Sequence, residues 1–156
     1  MSKLIYLDNA ATTAVRPEVV EAMLPYFSEK YGNPSSVYDF AAKNKKAVNE
    51  SRQIIADTLN ADVRDIYFTA GGTESDNWAL IATAEAYEAK GKHIITSKIE
   101  HHAILHTCEY LESRGFEISY IDVDENGILK IDQLKAAIRP DTILTVSYTH
   151  LRAHET

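Results

Sequence analysis

Two stretches hold residue types able to do chemistry. In TAGGTESDN, Thr69 to Asn77, two glycines follow the β-branched and aromatic run IYF and precede an alanine-rich segment. A helix beginning near Thr73 would carry unpaired backbone N–H groups and a partial positive charge at its start. Gly71 and Gly72 lack a Cβ, so a ligand can approach the backbone closely, and Thr73 adds a hydroxyl donor. Together they fit a phosphate dianion. The same residues also fit plain capping, with Asp76 three positions beyond Thr73 in place of the glutamate of a capping box. Neither G-x-x-x-x-G-K-[ST] nor G-x-G-x-x-G is present, which argues against a P-loop ATPase or a dinucleotide fold.

The second stretch is SKIEHHAILH, Ser97 to His106. It follows one strand signal and opens one helix signal. Glu100 and His101 are therefore expected at the carboxyl end of a sheet, where open α/β sheets gather ligands. An imidazole there can stack on a planar ring or move a proton. It can equally be a partly exposed capping side chain. His102 and His106 are i and i+4 on the helix, as paired metal ligands would be, but no acidic third ligand stands at a matching spacing. Cys108 falls mid-helix, where cysteine is usually a small buried hydrophobe. Asn9 in LDNAATT and Asn33 in GNPSS can line a cleft or serve only turn chemistry.

The elements that must position these residues alternate along the chain. Leu4 to Leu7 reads as a strand or extended arm. Pro17 opens a helix with an apolar stripe at Val19, Val20, Met23, Leu24 and Phe27. A long amphipathic helix is predicted from about Val37 to Leu59, with Ala41, Val48, Ile55 and Leu59 on one face. IYFT reads as a short buried strand, and WALIATAEAYEAK as a helix stopped by Gly91. HIITS, FEISYIDV and TILTV read as strands, separated by the helices HAILHTCEYLESRG and IDQLKAAI, with DENG a turn. This alternation predicts an α/β layer architecture with parallel strands and crossover helices.

Composition narrows the classes of function. The chain has 156 residues with a formal net charge of -7. A mildly acidic chain without a basic stripe argues against nucleic acid as the main partner. A single cysteine, Cys108, cannot form an internal disulfide. No segment approaches the roughly 20 apolar residues that span a bilayer, and no signal-peptide pattern opens the chain. The expectation is a cytoplasmic protein with no membrane partner.

The order of the motifs carries more than any one of them. YLDNAATT, YGNPSS, FTAGGTESDN and HIITSKIEHHAIL, in that order, resemble the cysteine desulfurases of the iron–sulfur-cluster type, in the class V aminotransferase branch of fold type I pyridoxal phosphate enzymes. The resemblance covers roughly Leu4 to Leu144. It implies a three-layer α/β large domain with a mainly parallel sheet and flanking helices, and pyridoxal 5'-phosphate as cofactor. It implies that Gly72 and Thr73 hold the cofactor phosphate, and that His101 stacks on the pyridine ring and assists proton transfer. Asn9 and Asn33 would lie near the substrate entrance. The implied reaction removes sulfur from L-cysteine as an enzyme-bound persulfide and leaves L-alanine. The implied partners are sulfur-acceptor or scaffold proteins and a second copy of the chain.

Residue by residue, three parts of that machinery find no match. The lysine of an SxHK type motif, the aspartate that pairs with the pyridinium nitrogen and the nucleophilic cysteine belong to later segments of the family. Cys108 does not match that cysteine, and Lys98 lies in the wrong motif. The expected organisation is an N-terminal arm over residues 1–14, the N-terminal part of the cofactor-binding large domain over 15–144, and an atypical tail over 145–156. In that tail TVSYTHLRAHET replaces the family's strand and its ANNE type loop, and its pair His150 and His154 reads as accidental. As written, the chain is expected to turn over cysteine negligibly and to leave apolar faces uncovered. Two other readings stay open: a non-catalytic phosphate-binding module, and a metal-binding or interaction protein using His102 and His106.

Overall fold

The computed structural model describes residues 5–9 and 11–147. The chain divides between Phe68 and Thr69 into two compact units.

The first unit is helical: α1 (Pro17–Met23), α2 (Pro25–Ser28) and α3 (Asp39–Leu59), followed by a 3-10 turn at Val63–Asp65. The single helix expected after Pro17 is instead two. Pro25 has no N–H to donate and its ring crowds the carbonyl four residues back, so α1 ends and α2 starts afresh with Pro25 in its first turn. α3 ends at Asn60, which takes the left-handed conformation (φ 52, ψ 44). Its inward face differs from the expected one. Ala41, Asn44 and Ala56 are buried, whereas Ile55 is 37% and Leu59 65% exposed. The inward line runs through Ala41, Asn44, Val48, Arg52 and Ala56, at three- and four-residue steps. The polar members on it have bonding work: Arg52 Nε donates to the Ile66 carbonyl at 3.2 Å.

Of the two readings of the opening run, strand or extended arm, the strand is not formed, and the strand expected at IYFT is not formed either. Residues 5–8 are neither helix nor strand and are exposed; Leu4 lies outside the described residues. IYFT is not a strand either, and Tyr67 and Phe68 are 65% and 51% exposed. A strand needs a neighbour to take its backbone N–H and C=O groups, and the sheet consists of three other strands.

The second unit is the predicted α/β alternation: α4 (Gly72–Tyr87), β1 (His93–Ser97), α5 (His102–Ser113), β2 (Glu117–Ile121), α6 (Ile131–Ala137) and β3 (Thr142–Thr145). The strand order is β2-β1-β3, with both pairings parallel. All five residues of β1 are buried, as befits the central strand of a parallel sheet. The core joins Leu80 and Ala84 of α4, Ile94 of β1, Ile104, Cys108 and Leu111 of α5, and Phe116. In the DENG turn Asp124 Oδ1 accepts from the N–H groups of Asn126 and Ile128 at 2.9 and 2.8 Å. Gly127 takes φ +79 there. Thr145 ends β3, and the Val146 N–H donates to the Ile95 carbonyl at 2.9 Å. His150 and His154 lie outside the described residues.

Opposite the strand ends that lead to His101, a buried histidine ties the sheet together. His93 Nδ1 is 2.7 Å from Thr142 Oγ1 on β3, and its Nε2 is 2.8 Å from Ser119 Oγ on β2. One side chain thus spans all three strands.

Candidate functional site

The α4 corner begins with Gly71 as N-cap, in extended backbone (φ 167, ψ 176) with no side-chain cap. The capping box expected from Thr73 and Asp76 is not formed, because Thr73 is already the second residue of the helix. Glu74 instead reaches back to accept from the Ala70 N–H. The Thr69 and Ser75 hydroxyls meet at 2.7 Å across the turn. The first helical amides, those of Gly72, Thr73 and Glu74, have no carbonyl four residues back within the helix. They form the electropositive start of α4.

Gly71 tests whether an anion suits this corner. Its backbone is one that any residue adopts, and an added Cβ would meet nothing within 4 Å. Neither local conformation nor packing within the described chain demands glycine here. What glycine leaves is open space in front of the helix amides, the space a phosphate needs.

The second corner follows β1. Ser97 Oγ donates to Glu100 Oε1 at 2.7 Å, and the Lys98 N–H donates to the Ile121 carbonyl at 3.0 Å. The chain then enters α5 with His101 as N-cap (φ -60, ψ 147), whose Nδ1 accepts from the Ala103 N–H at 3.0 Å. The capping reading of His101 is therefore correct as structure. It also has chemical content: Nδ1 is an acceptor, so the neutral ring carries its proton on Nε2. Lys98, whose motif did not fit a catalytic lysine, pairs with Asp122 at 2.6 Å.

The two corners share one groove. A cleft of about 450 Å³ between α4 and α5 is lined by Thr73, Asn77, Ile81, His101, His106 and Thr107, among others. Asp76 sits close enough to His101 to feel its charge. Burial pushes the Asp76 carboxyl up, the His101 imidazole opposes that rise, and Glu100 adds to it.

The other candidates fall elsewhere. Asn9 and Asn33 belong to the first unit and are exposed. Asn33 Oδ1 accepts from the Ser35 N–H at 2.9 Å, which is turn chemistry. His102 and His106 lie with ring centroids 5.2 Å apart. No group of three potential ligands that could hold a metal occurs among the described residues. Cys108 is fully buried, and burial first, then Glu112, pushes its thiol up to about 12. Such a thiol is not a nucleophile near neutral pH.

Two asparagines escaped the sequence reading. Asn44 is 6% exposed and donates to the carbonyls of Lys30 and Gly32 at 2.7 and 2.6 Å, pinning the loop that carries Asn33 onto α3. Asn77 packs between α4 and α5. The signal for Asn44 was its spacing, three residues after Ala41 and four before Val48. For Asn77 it was its place one turn after Thr73.

Comparison with known proteins decides the lineage. The aminotransferase class-V family profile matches residues 5–154. The chain belongs to the aminotransferase class-V family. It is 58% identical over 143 residues to cysteine desulfurase IscS of Methanosarcina thermophila, covering 92% of this chain and 35% of the relative. It is 54% identical to cysteine desulfurase IscS of Clostridium botulinum, with 92% and 36% covered. Among solved structures, a NifS-like protein superposes with TM-score 0.84 at 38% identity, covering 88% of this chain and 38% of that one. SspA in complex with cysteine follows at TM-score 0.81 and 41% identity, with 87% and 39% covered. This class-V chain thus spans about a third of the length of the curated relatives it matches. No helix among its described residues is long and apolar enough to cross a membrane.

Proposed function

We propose that this chain carries the phosphate corner and the ring-facing histidine of a pyridoxal 5'-phosphate-dependent cysteine desulfurase. One observation supports this above others: Thr73 at the head of α4 and His101 at the head of α5 line the same groove. In this reading the amides of Gly72 and Thr73, with the Thr73 hydroxyl, bind the phosphate. When bound, the cofactor supplies an electron sink for carbanion chemistry. His101 covers the ring, and it holds or moves a proton at Nε2, because Nδ1 is engaged by Ala103. Glu100 and Asp76 set the charge around that imidazole. The substrate is L-cysteine and the product L-alanine, with the sulfur passed to an acceptor or scaffold protein by a cytoplasmic homodimer. Asn9 and Asn33 are assigned to the substrate entrance on family resemblance alone. The covalent lysine and the nucleophilic cysteine are supplied by segments of the family that these 156 residues do not match, so the chain by itself turns over cysteine negligibly.

The test is a titration of the full chain with pyridoxal 5'-phosphate, with pyridoxal as the phosphate-free control. It is followed by the fluorescence of Trp78, the single tryptophan, which shares an open groove with Gly71 to Glu74. Saturable quenching by the phosphate ester alone is expected. Thr73→Ala should weaken it roughly 10-fold or more, since a hydrogen bond to a charged group is worth about 1.5–3 kcal/mol. Equal response to pyridoxal, or indifference to Thr73→Ala, sinks the assignment.

A further inference from the structure

The two parts of the proposed site stand on different helices, and one side chain reaches both. One terminal atom of the Asn77 carboxamide lies 3.2 Å from the Thr73 carbonyl oxygen and 3.1 Å from the Ala103 carbonyl oxygen. The Thr107 hydroxyl is 2.6 Å from the same amide end. Carbonyl oxygens only accept, so the amide presents its NH₂ to them; its oxygen there would oppose two acceptors and meet only the Thr107 hydroxyl. Thr73 is in the first turn of α4 and Ala103 in the first turn of α5.

We propose that Asn77 is a positioning residue that holds the anion corner of α4 in register with the imidazole at the head of α5. This rests on the reading of that groove as a pyridoxal phosphate site. The physical reason lies in the peptide units Asn77 touches. The Glu74 N–H, the third unpartnered amide beside those of Gly72 and Thr73, shares a peptide with the Thr73 carbonyl, so an anion drawn to this turn polarises the carbonyl that accepts from Asn77. The same NH₂ holds the Ala103 carbonyl, and the Ala103 N–H, on the adjoining peptide, caps His101 Nδ1 at 3.0 Å. One amide group therefore fixes the first turn of α4 against the residue that orients the ring, so a shift at the anion corner is carried to the imidazole. Helix propensity does not explain the residue, since asparagine is a weak helix former in a helix interior. Core filling does not explain it either, because an alanine or leucine would pack without setting an NH₂ against two carbonyls.

The experiment is NMR on the full chain, following the backbone amides of Gly72, Thr73 and Glu74 and the ring nitrogens of His101 while inorganic phosphate is added. In the unsubstituted chain both sets of resonances should move with one saturation curve. In Asn77→Ala the amides should still move, and the response at His101 should fall at least about threefold. Far-UV circular dichroism and urea unfolding report whether that variant keeps its fold. Asn77→Leu, close in size, removes the NH₂ while filling its space, so it reads the same link if Asn77→Ala does not fold. The His101 response should fall there to a similar extent. An undiminished response at His101 in Asn77→Ala, or in Asn77→Leu where only that variant folds, overturns the proposal while leaving the phosphate corner intact. If phosphate moves neither set in the unsubstituted chain, the site reading itself fails, and the role of Asn77 fails with it.

Discussion

His93→Leu should cost the second unit about 2 kcal/mol and should also flatten the pH dependence of its stability. The leucine keeps most of the bulk but removes the bonds to Thr142 Oγ1 and Ser119 Oγ. Each such bond contributes about 1 kcal/mol net. With a urea m-value near 2 kcal/mol/M, the unfolding midpoint should fall by about 1 M. The pH effect follows from the protonation state. Thr142 Oγ1 accepts the Arg139 N–H at 2.9 Å, and its own proton is then placed to go to Nδ1 of a neutral ring whose Nε2–H donates to Ser119. A protonated ring would need an acceptor at both nitrogens and would turn the Thr142 hydroxyl away. Burial first, then the nearby Arg139 cation, lowers the His93 pKa below its ordinary 6.5, with Asp141 and Glu117 opposing. Below pH 6.5 the unfolded chain takes up a proton that the folded chain refuses. This contribution is thus complete above pH 6.5 and is lost as pH falls toward the folded value. Its slope is bounded by about 1.4 kcal/mol per pH unit. Urea unfolding of both chains between about pH 5 and 8 measures it, because the difference in slope isolates His93 from the other titrating groups. Identical slopes in the two chains would refute the assignment of a neutral, strand-bridging imidazole.

Three further outcomes are expected. Gly91→Ala drives a Cβ into the Asp141 carbonyl, just before β3, and should destabilise by about 3 kcal/mol; urea unfolding measures this. Gly71→Ala, whose Cβ meets nothing, should alter stability by less than about 0.5 kcal/mol yet weaken pyridoxal 5'-phosphate binding in the Trp78 titration. Labelling of Cys108 by a thiol reagent near pH 8 should be at least about 100-fold slower in the folded chain than in guanidinium. The thiol is fully buried and raised to about 12, and every 1.4 kcal/mol of opening free energy is a factor of ten.

The second unit was legible in the sequence because its signals are local. HIITS is a β-branched run with no polar break long enough to face water, and it became the fully buried β1. Ile104, Thr107, Cys108 and Leu111 recur at helical spacing and form the inward face of α5. Gly115 follows the end of α5 and Gly127 makes the DENG turn, with φ of +88 and +79, where other residues are strained. The ordered motifs around Thr73 and His101 named the family for the same reason, since each lies within a dozen residues of chain.

Tertiary contact decided what local signals could not. IYFT had the composition of a strand, but a strand exists only when another backbone lies beside it, and no strand among the described residues pairs with it. Ile55 and Leu59 had the hydrophobicity of an inward face, yet Asn44 and Arg52 hold that direction because carbonyls of Gly32 and Ile66 wait there. Asn77 showed nothing in sequence beyond a spacing from Thr73. Its partners Ala103 and Thr107 are some 30 positions along the chain, with only the Thr107 pair separated by 30. Propensity and periodicity act over a few neighbouring residues. Which polar groups meet across two helices depends on how the helices dock, and only the folded chain fixes that.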